Sequence, residues 1–304
     1  MAPSLAPVLP NARRRAVRHV LLATLWLSPA EIAAQAGGPP GGASNPTAAA
    51  TREASRLDSD GRTTEARVLF QRMIDSAADP SAKAAAQRAM AMSYAFDGDC
   101  ANTVKYERMV IDFWKTREQA EPQNAFYQQG EMANEVARVC IDVGSLDEAE
   151  RYYVMGRELG LKEPEPRTHP KSLWDYRTEH ALARLAARRG KKDEAQKHVA
   201  AARALLDADT AMARQQERFF PYLTGYVALY TNDLATAAAD LSKAVAMPGN
   251  QNDPFMHYLL AMTHERMGHA DVARPLYRKA HDLAAGHNPP AAFVRPNARK
   301  KLGA

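Results

Sequence analysis

From about Ala48 onward, apolar residues recur at spacings of three and four, and no stretch alternates apolar with polar as a half-buried strand would. That pattern predicts an all-α protein. The runs are cut by single residues of one kind, at Gly61, Gly98, Gly144, Gly190, Asn232 and Gly268. Gly144–Tyr153, GSLDEAERYY, shows the layout that follows each cut. Five residues on stands a small side chain: Ala66, Thr103, Ala149, Ala195, Ala237 or Ala273. Nine residues on stands Phe70, Glu107, Tyr153, Val199, Leu241 or Tyr277, apolar in every copy but the second.

This layout describes a helix hairpin. Glycine, or Asn232 in the fifth copy, takes the left-handed conformation that ends one helix, and short polar residues such as Thr63 or Asp147 start the next. The small residue marks the closest crossing of the two helices, and the large one fills the space a turn later. A hairpin of this kind cannot bury its apolar face alone and must stack on a neighbour.

The repeated layout resembles the tetratricopeptide repeat family, which also places a small pair before the turn residue. The third copy matches with Val136, Ala137, Cys140, Gly144, Ala149, Tyr153 and Gly156. The sixth matches with Leu260, Ala261, Gly268, Ala273, Tyr277 and Ala280, and the fifth with Thr224, Gly225, Asn232, Ala237, Leu241 and Ala244. The resemblance covers residues 47–284. It departs in period, with turn-to-turn distances of 37, 46, 46, 42 and 36 residues against about 34 in the family. The family's early tryptophan is also missing. Extra length at 112–129, 162–174 and 208–219 predicts longer helices and connections.

The resemblance implies a right-handed α-solenoid whose first helices line a concave groove. The groove positions of that family fall on Asn134, Arg138 and Ile141 in the third copy and on His180, Arg184 and Arg188 in the fourth. In the fifth they fall on Tyr222, Tyr226 and Tyr230, and in the sixth on Tyr258, Met262 and Arg266. The three tyrosines of the fifth copy share one helical face. Beside arginines, they suit an extended or helical peptide with acidic groups. The alternative is that these rings pack on the next repeat.

The N-terminus changes the charge reading. Arg13, Arg14, Arg15 and Arg18 precede the short apolar run Val20–Leu27, and Ala33–Ala36 close it with small residues. Residues 1–36 thus read as an export signal cleaved after Ala36, by the Sec or the twin-arginine route, with an uncleaved anchor as the alternative. A Gly/Pro leader, 37–46, follows. Four of the 40 Lys and Arg and one of the 35 Asp and Glu lie in the signal, so the mature chain carries +2 rather than +5. So nearly neutral a chain speaks against nucleic acid as a partner, and no stable membrane span is expected once the signal is removed.

In an oxidising compartment the only two cysteines, Cys100 and Cys140, are free to bridge, closing a loop of about 40 residues; a buried free Cys140 is equally compatible. His264, Glu265 and His269 look like a zinc-protease helix, but the histidines are five apart across Gly268. No catalytic, cofactor or metal site is therefore expected. The tail from His287, with Pro289, Pro290 and Pro296, is expected to form an extended strap over residues 285–304, anchored by Phe293. The functional expectation is a non-catalytic adaptor, periplasmic or secreted, that holds a protein or peptide in its groove. An enzyme or metal protein with a site assembled from distant residues, or a self-associating structural subunit, are the alternatives.

Overall fold

The computed structural model describes residues 46–303, so the expected signal and nearly all of the leader lie outside the described residues. The described chain is all-α, without strands. Six antiparallel hairpins follow one another. They are α1 with α2 (Pro46–Ser59, Thr63–Asp75), α3 with α4 (Pro80–Phe96, Cys100–Lys115), and α5 with α6 (Pro122–Asp142, Leu146–Gly160). Then come α7 with α8 (Lys171–Arg188, Lys192–Ala208), α10 with α11 (Phe220–Tyr230, Leu234–Ala246), and α12 with α13 (Pro254–Arg266, Ala270–Leu283). A short helix α9 (Thr210–Gln216) and a 3-10 turn precede α10, and α14 (Pro289–Leu302) ends the chain. Each helix packs chiefly on its neighbours in sequence, as in a solenoid.

All six turn residues have positive φ, and Asn232, at 66°, is the only described non-glycine that does. Asparagine tolerates this region better than other side chains, which explains the one exception. The small residue five positions later is buried in every hairpin. In the second hairpin the close approach is visible directly, since Thr103 Oγ1 donates to the carbonyl of Ala91 at 3.3 Å. Helix starts differ in detail from expectation. Asp99 and Asp233 cap α4 and α11, whereas Thr63 and Asp147 sit inside the first turns of α2 and α6.

Hairpins three and four meet through glycine. A Cβ on Gly160 would stand 2.2 Å from the Trp174 ring, and one on Gly130 2.5 Å from it, so only glycine admits this buried indole.

The tail is not an extended strap. It forms α14, because the features that look like helix breakers stand where a helix accepts them. Pro289 and Pro290 occupy the first positions, which need no N–H partner, Asn288 accepts from Ala291 N at 3.1 Å, and Gly303 closes the end at φ 74°. Pro296 removes one interior bond, against burial of Ala291, Ala292, Val294, Ala298 and Leu302. Nor does α14 merely cover the exposed end of the stack. It packs on the first helices α1, α3 and α5 as well as on α12 and α13, so it lies along the inner side and joins the last hairpin to the first.

Candidate functional site

The inner side is built by the first helix of each hairpin. Of the expected groove residues, Asn134, His180, Arg184, Tyr222, Tyr226 and Tyr258 are buried. Arg138, Arg188, Tyr230 and Met262 are half-buried, and Arg266 is exposed. Ile141 is a core residue. Asn134 lies against Gly156 of α6, and Tyr258 packs on Tyr277 and Phe293 at 5.1 and 5.4 Å between ring centres. Arg266 turns away from the groove to the end of α10, donating to Leu229 O at 2.6 Å and to Asn232 Oδ1 at 2.9 Å.

The tyrosines and arginines form a lattice between hairpins. Arg184 donates to Tyr153 OH at 2.9 Å and Tyr222 OH at 3.3 Å. Arg188 reaches Tyr226 OH at 3.4 Å and lies 4.8 Å over the Tyr230 ring. Tyr222, Tyr226 and Tyr230 follow one another at 6.1 and 4.6 Å, and Tyr222 meets Phe255 at 6.2 Å. Such contacts of guanidinium with phenol and ring stabilise each other once desolvated. Burial raises the Tyr222 and Tyr226 phenols above their ordinary range, so they stay protonated as donors and acceptors. Burial, reinforced by Arg184 and Arg138, holds His180 well below its usual value and therefore neutral, and its Nε2 has no partner.

What this lattice leaves open is a polar strip on α5. Arg138 and Asp142 stand one turn apart on the same helix, half-buried, and neither makes a hydrogen bond or ion pair among the described residues. Burial pushes the Asp142 carboxyl up to about 7, although the guanidinium groups of Arg184, Arg188 and Arg138 pull it down. Its edge is still wetted while the surrounding wall desolvates it. Asp253, which caps α12 by accepting from Met256 N at 2.9 Å, is likewise raised by burial. Asp142 was absent from the sequence-based set, and its spacing of four from Arg138 is the signal that would have found it.

Two side-chain clusters resemble catalytic or metal centres only in composition. Ser93, Asp58 and His287 meet, but Ser93 Oγ donates to Asp58 Oδ1 at 2.7 Å and His287 Nε2 bonds Asp58 Oδ2 at 2.8 Å. The hydroxyl is committed to the carboxylate rather than to the imidazole, and Ser93 is fully buried, so this set cannot generate a nucleophile. His264 and His269 face each other with Nδ1 atoms 3.5 Å apart, and no group of three metal-ligating side chains occurs among the described residues.

Cys100 and Cys140 are bridged, linking the start of α4 to α5 and so the second hairpin to the third. No helix among the described residues is long and apolar enough to cross a membrane. In comparisons with known proteins, the chain matches no protein-family model and no curated protein.

Proposed function

We propose that the chain is a non-catalytic interaction scaffold of the cell envelope, built of tetratricopeptide-type hairpins, that holds a protein or peptide segment against its inner side. The observation that carries this reading is the pair of polar side chains on α5 left without hydrogen bonds. Arg184, Arg188 and Arg266 all make hydrogen bonds, whereas Arg138 and Asp142, half-buried on α5, make none among the described residues and interact with neighbouring charges only at longer range. Half-buried polar groups without hydrogen bonds are costly when the protein is alone and become favourable when a ligand supplies complementary groups. Arg138 suits a carboxylate of the ligand, Asp142 an amide or ammonium donor, and Tyr230 an adjoining apolar contact. The Cys100–Cys140 bridge supports an oxidising compartment, in keeping with the export signal read at the N-terminus.

The test places a photo-crosslinking residue at position 138 on the inner side and, separately, at the exposed Val68 on outer helix α2, in the native host. The expected result is a discrete adduct from position 138 only, joined to a segment with acidic side chains. Equal labelling from both positions, or none from 138, would contradict the reading.

A further inference from the structure

Three guanidinium groups surround one carboxyl on the inner side, and none of the three is in an ion pair among the described residues. Arg184 and Arg188 are held by phenols, Arg184 at 2.9 Å by Tyr153 and 3.3 Å by Tyr222, Arg188 at 3.4 Å by Tyr226. A hydroxyl accepts the hydrogen bond without cancelling the charge, so the lattice fixes both guanidiniums and leaves their positive field standing. Arg138, one turn from Asp142 on α5, makes no hydrogen bond among the described residues. Two other carboxyls feel the Arg138 charge and are engaged elsewhere, Glu135 accepting from Arg88 and Asp253 from Met256 N. Asp142 is left to balance this field, and it reaches none of the three arginines at hydrogen-bond distance.

The groups facing Asp142 are Arg138 on its own helix, Arg184 and Arg188 on α7, and the phenols Tyr222, Tyr226 and Tyr230 of α10. Of the helices packed on α5, α6 contributes the Tyr153 phenol through Arg184, and the charges acting on Asp142 include none from α4 or α14 among the described residues. His180 is held neutral, so near pH 7 the charge of the cluster changes at Asp142. We propose that Arg138, Arg184 and Arg188 together take a carboxylate of the ligand, and that Asp142 is a resident competitor, admitting that carboxylate when protonated and opposing it when ionised. This deepens the scaffold reading above and rests on it. Ionised, Asp142 repels an incoming carboxylate; protonated, it removes the repulsion, and its carbonyl oxygen still accepts an amide N–H of the ligand. A bound carboxylate in turn strengthens the hold of Asp142 on its proton, because the coupling is reciprocal. Capture of an acidic segment therefore takes up a proton. It strengthens as pH falls and levels off below the Asp142 value of about 7.

The test measures binding of a fluorescent hexaglutamate peptide to the full chain at fixed ionic strength, at pH 8.5 and at pH 6, where the glutamates stay ionised. Affinity is expected to be about ten-fold higher at pH 6, the size of one repulsion between nearby charges in a partly buried site. Asp142→Asn, uncharged at either pH, is expected to bind at pH 8.5 as tightly as the unaltered chain does at pH 6, with the pH dependence gone. Equal affinity at the two pH values, a pH dependence that survives Asp142→Asn, or no binding at either pH would overturn the inference. Should the variant unfold, titration calorimetry of the unaltered chain in buffers of different ionisation enthalpy decides. About half a proton taken up per peptide bound is expected at pH 7.5, and no uptake, or release, would overturn the inference. Arg138→Gln separates this inference from the reading beneath it. Binding that Arg138→Gln weakens but pH leaves unchanged removes only the proton coupling, whereas binding indifferent to Arg138→Gln removes the acidic-ligand reading itself.

Discussion

Replacing Cys100 and Cys140 together by alanine is expected to lower the unfolding free energy by about 3 to 4 kcal/mol. The bridge spans 40 residues of sequence, and a loop of that size restricts the unfolded chain by roughly this amount. Both sites are buried and alanine is small, so the substitution adds little strain of its own. The bond also ties the second hairpin to the third, and in a stack stabilised by neighbours a weakened joint propagates to both sides. Urea unfolding of the double variant, and of the native protein under reductant, measures the loss. A change below about 1 kcal/mol would show that the stack alone already holds α4 on α5.

The second large effect is a gain. Glu107 stands where the other five hairpins place Phe70, Tyr153, Val199, Leu241 or Tyr277, and it is fully buried with no partner for either carboxyl oxygen. Burial raises its carboxyl well above the ordinary 4.5, and the neighbouring Glu135 adds to the shift. Glu135 itself is held ionised by Arg88, whose Nε donates to it at 3.0 Å. Glu107 therefore keeps its proton beside the ionised Glu135. Because the folded state binds this proton more tightly than the unfolded state, the contribution of Glu107 to stability is fullest below about 4.5 and is lost as pH rises through the folded value. Asp142 adds a decline in the same direction between about 3.8 and about 7.

Glu107→Leu is expected to stabilise the protein by about 1 to 4 kcal/mol at pH 8 and by much less near pH 4. Glu107→Gln, which keeps the shape and the donor, is expected to flatten the pH dependence while leaving the smaller slope from Asp142. Melting curves across pH 4 to 9 for the three proteins separate these effects. Parallel curves would mean that Glu107 is ionised when folded.

The hairpins were legible because their geometry depends on a few residues with little choice. Only glycine or asparagine takes the left-handed turn readily, and only a small side chain fits the crossing, so Gly144 and Ala149 announce one hairpin unaided. Glu107 was legible as the exception in an otherwise apolar column. The Arg184–Tyr222 lattice was not, because helical periodicity places a residue on a face without saying whether that face meets a neighbour or the groove. Helix α14 was hidden by Pro289, Pro290 and Pro296, which look like breakers in sequence. What outweighs them is burial against helices more than two hundred residues earlier, and no local pattern records that contact.

The inner position of the C-terminal segment, tying the last hairpin to the first, is the claim on which the account of the fold's inner side depends. Nuclear Overhauser contacts of the His287 ring test it most directly. They are expected to connect His287 with the ring protons of Phe70 and Phe96, the ring centres being 5.4 and 5.6 Å apart. A His287 ring with the shifts of a free imidazole and no contact to either phenylalanine would contradict the account.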